Sequence, residues 1–237
     1  MSAWLIARRE LGALFRTPAG SLIAAFVLFL DALQLNAVAI GTGRRPSGEV
    51  LEIFLLNAAF VTEVLAVLLS MRLVVEPLTA PLLLSAPVRE RDVVLGKVSA
   101  AFVFLTVVTA ATLYLPALVY VYGKVSIGHV AAGYLGLLLV GAASLGVGAA
   151  AAAATTSPFV AVVVSAAVLG TLELMYYVAG VASLEWRDAL RALAPVWKHH
   201  RSFRRGILQL SDVVYLVAMA YVGVYVAVRL LGRRRDR

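Results

Sequence analysis

Six long apolar stretches are the feature that most constrains how this chain folds. Each is long enough to cross the hydrocarbon layer of a membrane as a helix, which takes about 20 residues. A water-soluble core does not explain them, because 62% of the residues are hydrophobic, against about 45–50% in soluble domains. The sequence therefore predicts an all-α integral membrane protein, with one six-helix transmembrane domain over residues 18–231. The predicted spans are residues 18–40, 50–75, 93–122, 130–154, 158–179 and 213–231.

Two of the spans carry additional signals. The third contains Pro116, which predicts a bend, because proline removes a helix N–H and clashes with the preceding turn. The fourth is built from glycine, alanine and serine over most of residues 141–154. Small residues let helices approach closely in lipid, so we expect the fourth helix to lie in the interior of the bundle.

The excess of basic residues predicts the orientation. The chain has 21 Lys and Arg against 13 Asp and Glu, a formal net charge of +8. An even number of spans places both ends on one side of the membrane, and basic flanks favour the cytoplasmic side. With Arg8 and Arg9 at one end and the basic tail 232–237 at the other, we expect cytoplasmic termini and an inner (plasma) membrane location. Because basic residues at the ends of the spans explain the positive net charge, we predict no nucleic-acid partner.

Residues 1–17 are predicted to form an amphipathic elbow helix before the first span. At about 100° per residue, the apolar side chains share one face and Arg8 and Arg9 share the opposite face. Such a helix lies in the plane of the membrane surface, and Thr17 and Pro18 would turn the chain into the first span. The alternative is an ordinary cytosolic helix. The apolar face comprises Ala3, Trp4, Ala7, Leu11, Leu14 and Phe15.

The segment 180–212, expected outside the cell, combines an amphipathic piece with a basic cluster. Its tryptophans suit the headgroup region of a membrane. The cluster is expected to contact anionic headgroups, an extracytoplasmic accessory protein or an anionic substrate, and the sequence leaves these three open. The residues assigned to such contacts are Trp186, Trp197, Arg201, Arg204 and Arg205.

No catalytic motif occurs in the sequence. It contains no G-x-x-x-x-G-K-[ST] nucleotide loop, no H-E-x-x-H and no G-x-S-x-G, and the absence of cysteine removes thiolate chemistry. The three histidines, His129, His199 and His200, indicate a weak metal site or, more simply, a solvated basic loop. We therefore predict no catalytic residue, no metal and no cofactor bound by this chain.

Acidic residues inside the spans are the main candidates for a functional site. Asp31 lies in the first span, Glu63 in the second and Glu173 in the fifth, whereas Glu52 marks the edge of the second. A charge in hydrocarbon is costly, so these carboxyls need polar partners, water or a proton. Together with Gln34 they line a translocation path, join helices by hydrogen bonds in their protonated form, or lie toward the ends of their spans. The polar partners expected are Gln34, Asn36, Asn57, Thr62, Ser70 and Thr171.

The segment 76–92, between the second and third spans, mixes leucines with three prolines. It is too interrupted to cross the membrane, and a short helix near residues 80–85 would leave its leucines exposed at the membrane surface. The segment either docks another protein or lies beneath its own bundle.

Three stretches at consistent positions carry a resemblance to a known family. They are WLIARRELGALFRTP at residues 4–18, LLLSAPV at 82–88 followed by VLGK at 94–97, and residues 203–215, which fit F-x-x-G-[VI]-[IL]-x-x-x-D-x-x-Y. With these, the chain resembles the membrane permease subunits of ABC-2 type transporters, most closely the gliding-motility-associated permeases. Where the family usually carries G-T-[LI]-E, this chain has LTAP at 78–81.

The resemblance implies a permease that forms the translocation path as a homodimer and exports its substrate. Two separate ABC ATPase subunits would bind ATP and Mg²⁺, and their movement would be transmitted through Arg8 and Arg9 of the elbow helix and through the loop after the second span. The lost acidic residue at 78–81 would alter the ATPase contact. The loop residues with this implied coupling role are Thr79, Leu82, Leu83, Leu84, Ser85 and Pro87.

Two other functions stay open. One is an ATP-independent secondary transporter that uses the intramembrane carboxylates as ion or proton sites, a class that often shows paired inverted repeats. The two halves of this chain show no such repeat. The other is a structural membrane subunit of a larger complex, which would leave the intramembrane acids and the leucines of the loop without a role.

Overall fold

The computed structural model describes residues 3–41, 45–74, 90–123 and 125–235. In this part of the chain the regular structure is helical, without strands. Six crossings are long and apolar enough to span a membrane, so the chain is a multi-pass membrane protein, as the sequence predicts. The helices are α1 (Ala3–Arg16), α2 (Pro18–Gln34) with a π-helical continuation (Leu35–Ile40), α3 (Ser47–Leu73), α4 (Glu90–Ala111), α5 (Tyr114–Tyr122), α6 (Ile127–Ala154), α7 (Pro158–Val181), α8 (Leu184–Arg191), a π-helical turn (Pro195–His199), α9 (His200–Phe203) and α10 (Leu210–Arg235).

The third crossing is divided into α4 and α5. Pro116 has no N–H to offer the carbonyl of Thr112, which instead accepts the N–H of Leu115 at 2.9 Å. The hydroxyl of Thr112 donates to the carbonyl of Thr109 at 2.7 Å, a local bond that competes with the regular helix pattern. The break predicted from Pro116 is therefore present, and its cause is the missing donor.

Helix α6 lies in the interior of the bundle, packed against α10 and α3. A Cβ on Gly146 would lie 2.7 Å from the carbonyl oxygen of Ala220 in α10, and one on Gly148 would lie 3.0 Å from the Cβ of Ser70 in α3. Such close approach maximises van der Waals packing, which holds helices together in lipid. The expectation that the small-residue span is buried is confirmed.

Helix α1 packs along α4. The sequence predicted a contact with the membrane surface but did not predict this contact with another helix. Ile6 and Leu14 are buried, and a Cβ on Gly96 of α4 would lie 2.8 Å from the Cβ of Ile6. Trp4, predicted on the apolar face, stays 72% exposed. The buried face of α1 is thus rotated from the predicted apolar face. The cause is that α4 covers the side of α1 that carries Ile6 and Leu14 and leaves Trp4 exposed.

Helix α1, the end of α3, the start of α4 and the end of α10 lie at one end of the bundle. Glu10 of α1 pairs with Lys97 of α4, and the start of α4 shares a groove with Arg229 and Arg233 of α10. We call this the basic end, and it is the end expected to face the cytoplasm. Toward lipid or another chain, α2 and α7 present large exposed apolar side chains such as Phe29 and Phe159.

At the opposite end, the chain between α7 and α10 returns into the bundle. Helix α8 is exposed, but the chain then turns inward at Pro195 and reverses at Gly206, whose φ is +76°. Within it Ala194, Val196 and Phe203 are fully buried. We call residues 195–206 the inserted segment.

Candidate functional site

The inserted segment stands where the sequence predicted a solvated basic loop. His199, His200, Ser202 and Arg204 are all buried. Polar side chains of this kind usually face water. Here α3 and α10, which are distant in the sequence, supply their hydrogen-bond partners. No group of three metal-ligating side chains forms among the described residues; His199 and His200 each bind protein groups instead.

Two of the five residues expected to contact lipid or a partner do not reach the surface freely. Arg204 is only 9% exposed, and the ring of Trp197 stacks on Tyr176 with centroids 5.4 Å apart. Trp197 and Arg204 both point into the protein because they belong to the inserted segment, which enters the bundle and is not a surface loop. Trp186 is 64% exposed, and Arg201 and Arg205 are also exposed.

Glu173 caps the start of the inserted segment. Its carboxylate accepts the N–H of Val196 at 2.7 Å and the N–H of Trp197 at 3.4 Å. These donors are free because the first N–H groups of a helical turn have no partner within it, and a negative charge there is favourable. The sequence predicted side-chain or water partners for Glu173. The partners are backbone amides, because Pro195 begins a helical turn beside α7.

His199 and Asp212 connect the inserted segment to α10. Nδ1 of His199 lies 2.9 Å from Oδ1 of Asp212, and Nε2 lies 2.9 Å from the carbonyl oxygen of Ala192. The imidazole of His199 thus bridges a side chain of α10 and the backbone that precedes Pro195. Asp212 also accepts the hydroxyl of Ser202. The ring of Tyr215 stacks on the ring of His199, with centroids 3.8 Å apart.

His200 has the opposite character. It is fully buried, and its Nε2 donates to the carbonyl oxygen of Leu55 in α3 at 3.2 Å. Burial lowers the pKa of His200 to about 4, with a smaller contribution in the same direction from Arg204 and an opposing one from the Leu55 hydrogen bond. His200 is therefore neutral near pH 7, and its one ring proton lies on Nε2.

Glu52, at the edge of α3 as predicted, forms an ion pair with the inserted segment. Its Oε1 lies 3.2 Å from Nε of Arg205 and 4.0 Å from Nε of Arg204. Nearby, a ring nitrogen of His129 contacts the carbonyl oxygen of Arg204 at 2.6 Å. Since the carbonyl is an acceptor, this nitrogen carries the proton. The inserted segment is thus fixed to α3, α6, α7 and α10.

Two carboxyls in the spans each have one buried oxygen without a hydrogen-bond partner among the described residues. Asp31 is 4% exposed and Glu63 is 7% exposed, and neither Oδ1 of Asp31 nor Oε1 of Glu63 has a hydrogen-bond partner among the described residues. Gln34, one turn after Asp31, is half-buried. Helices α2 and α3, which carry these residues, are neighbours.

Two of the partners expected for these carboxyls bind their own helix. The hydroxyl of Thr62 donates to the carbonyl of Ala58 at 2.8 Å, and that of Ser70 donates to Val67 at 2.6 Å. Hydroxyl groups in helices commonly bond the preceding turn in this way, so they are not available as predicted. Asp31 and Glu63 are therefore the buried acids left for a polar path.

At the basic end, a polar network joins α1 to both sides of the segment 75–89. Glu10 lies 3.5 Å from Lys97, and Nζ of Lys97 donates to the carbonyl oxygen of Arg72 at 3.0 Å. Arg72 in turn donates to the hydroxyl of Thr17 at 3.4 Å. Sequence reasoning missed this network, although VLGK at 94–97 was noted as a motif.

The coupling residues implied by the resemblance divide into two groups. Arg8 and Arg9 are exposed on α1. The loop residues Thr79, Leu82, Leu83, Leu84, Ser85 and Pro87 lie outside the described residues.

Compared with known proteins, the sequence matches no family model and no curated protein significantly. The structure itself establishes a six-crossing helical membrane fold, with an inserted segment at one end and a helix-anchoring polar network at the other. The resemblance to ABC-2 permeases stays a prediction.

Proposed function

We propose that this chain is the membrane permease subunit of an ABC transporter, of the ABC-2 type, and that separate ATPase subunits drive it. The observation that supports this most is the network of Glu10, Lys97, Arg72 and Thr17. It ties α1 to the end of α3 and the start of α4, which flank the segment 75–89. A force applied to that segment therefore moves three helices together.

In this proposal the energy comes from another chain. The sequence has no nucleotide-binding loop of its own, so ATP and Mg²⁺ are bound by two partner ATPases. These dock at the basic end, on the leucines of the loop and beside the exposed Arg8 and Arg9. The permease lies in the plasma membrane with this end in the cytoplasm, since its flanks are basic.

A second copy completes the path in this proposal. Helices α2 and α7 expose large apolar side chains, and α2 also carries Asp31 and Gln34. Pairing two chains through these helices would place the buried acids of each copy near the shared axis, where a polar path for an exported substrate would form. An accessory protein outside the membrane would meet the exposed α8 and Arg201.

The ATPase partnership is tested by purifying the full chain from its native membranes. We expect a P-loop ATPase to co-purify and to hydrolyse ATP. Replacing Leu82, Leu83 and Leu84 with glutamate is expected to weaken this association at least about a hundredfold, because each buried leucine contributes roughly 1.5–3 kcal/mol. ATPase activity and the mass-spectrometric ratio of the two chains are measured.

The matched control replaces Leu208 and Leu210 with glutamate. These leucines are exposed at the opposite end of the bundle, so the variant is expected to keep the ATPase. Equal recovery of the ATPase with both variants would contradict the proposal. So would a purified chain that moves its substrate on a proton gradient with no ATPase bound.

The second candidate function is an ATP-independent secondary transporter. The unpartnered buried oxygens of Asp31 and Glu63 favour it, because intramembrane acids of this kind serve as ion or proton sites. The two functions differ in one requirement. Inactivating the partner ATPase by substitution of its catalytic residues abolishes transport only in the first.

Neutral isosteres separate a transport role of the acids from a structural one. We expect Asp31→Asn and Glu63→Gln each to lower transport about tenfold or more while leaving assembly intact, since the path loses an ionisable group without losing volume. Transport is measured as complementation of a deletion strain, and assembly by size-exclusion chromatography. The control is Ser165→Ala, a buried polar group of α7 that bonds its own helix. Loss of assembly would indicate helix-to-helix hydrogen bonds instead.

A further inference from the structure

We propose that a groove between α4 and α10 at the basic end binds one anionic phospholipid. The groove has a volume of about 880 Å³. Its inner part is lined by apolar side chains, including Leu95 of α4 and Val228 of α10, and its end is lined by Arg91, Arg229 and Arg233. An apolar trough that ends in arginines matches a molecule with acyl chains and a phosphate.

The charges favour an anion. Among the residues that the structure describes, three arginines and one acidic residue, Glu90, line the groove. Nε of Arg229 donates to the hydroxyl of Tyr225 at 2.9 Å, which holds the guanidinium in place and leaves its terminal amino groups unused by that bond. A guanidinium fork fits phosphate oxygens with two parallel hydrogen bonds. A Cβ on Gly232 would meet nothing within 4 Å, so the groove has room for a headgroup.

The length of the groove along α10 fits an acyl chain. Tyr221 and Tyr225 are exposed and stack with centroids 6.4 Å apart, and they continue the line of Arg229 at four-residue spacing along α10. From Arg233 to Tyr221 the helix rises about 18 Å, slightly more than one leaflet of a hydrocarbon core about 30 Å thick. The arginines then lie at headgroup level and the tyrosines at the level of the chains. Basic pockets between membrane helices bind anionic headgroups in this way.

The same charges disfavour a second copy of the chain in the groove. In a two-fold contact the same patch meets itself, which would bring Arg229 and Arg233 of both copies together. A lipid phosphate neutralises these residues instead. The site lies apart from the inserted segment and from Asp31 and Glu63, and it does not depend on the ATPase partnership.

The absence of cysteine allows a local test in the full chain. Leu95→Cys, labelled with bimane, places a fluorophore in the groove of the protein reconstituted in vesicles. Brominated phosphatidylglycerol is expected to quench it at a mole fraction at least about tenfold lower than brominated phosphatidylcholine, since each arginine near an anionic lipid favours binding about fivefold. Adding Arg229→Gln and Arg233→Gln, which leaves Arg91 in the groove, is expected to remove most of the preference.

Two controls define the site. Val226→Cys lies outside the groove on α10 and is expected to show no headgroup preference. The double variant Arg9→Gln with Arg16→Gln removes two positive charges from α1 instead of α10. It is expected to leave the preference for phosphatidylglycerol at Leu95→Cys unchanged. Equal quenching by both lipids, or a preference that the Arg229 and Arg233 substitutions leave undiminished, would overturn the proposal. Shielding from both lipids would also overturn it, because another protein segment would then fill the groove.

Discussion

Replacing Gly223 with leucine is expected to stop α10 from packing on α6 and to remove most of the folded protein from detergent extracts. A Cβ at Gly223 would lie 2.8 Å from the Cα of Gly146 and still nearer to its carbonyl group. These are backbone atoms of a central helix, so they cannot rotate away as a side chain would. Forcing extra atoms into such a contact costs roughly 3 kcal/mol or more. The monodisperse fraction and the midpoint of thermal unfolding report the effect.

The control for this prediction is Gly170→Leu. Gly170 also lies within a membrane-crossing helix, but a Cβ there meets nothing within 4 Å, and the residue is exposed on α7. It is expected to leave the yield and the unfolding midpoint unchanged. If Gly223→Leu behaved like Gly170→Leu, α6 and α10 would not be in close contact and the packing described here would be wrong.

Replacing Glu173 with alanine is expected to release the inserted segment from the bundle. The substitution removes the acceptor of the Val196 and Trp197 N–H groups, and a hydrogen bond to a charged group contributes about 1.5–3 kcal/mol. Glu173→Gln keeps a neutral acceptor and is expected to cost about half as much. A role for Glu173 in capping this turn therefore predicts a graded loss, alanine greater than glutamine.

Cysteine labelling measures that release directly. Val196→Cys, fully buried in the parent structure, is expected to react slowly with a membrane-impermeant maleimide and at least about tenfold faster once Glu173→Ala is added, in line with the expected loss of stability. Trp186→Cys, on the exposed α8, should react at the same rate in both backgrounds. Unchanged labelling of Val196→Cys in the Glu173→Ala protein would argue against a cap and for a position of Glu173 in a polar path.

Much of the fold could be predicted because lipid imposes simple rules. A membrane crossing must be an apolar helix of about 20 residues, so hydropathy located all six, to within a few residues at most ends. Pro116 predicted the break between α4 and α5, and the small residues of α6 predicted its interior position. Each of these signals acts over one helical turn or one helix, and each is visible in a single stretch of sequence.

The candidate site was predicted less well, because its contacts join residues far apart in the chain. The sequence placed His199, His200 and Arg204 in a solvated loop, whereas His200 bonds Leu55 and Arg204 is buried. It also gave Glu173 side-chain or water partners. Nothing local indicates that a segment rich in histidine and arginine enters a bundle.

By itself, the sequence determined that this is a six-crossing helical membrane protein and which acidic residues lie inside its spans. Only the tertiary structure decided which contacts those acids make. It gave the carboxylate of Glu173 two backbone donors and, within the described part of the chain, left one oxygen each of Asp31 and Glu63 without a partner. The physical reason is that hydrophobicity is a property of each residue, whereas a hydrogen bond depends on which two elements the fold brings together.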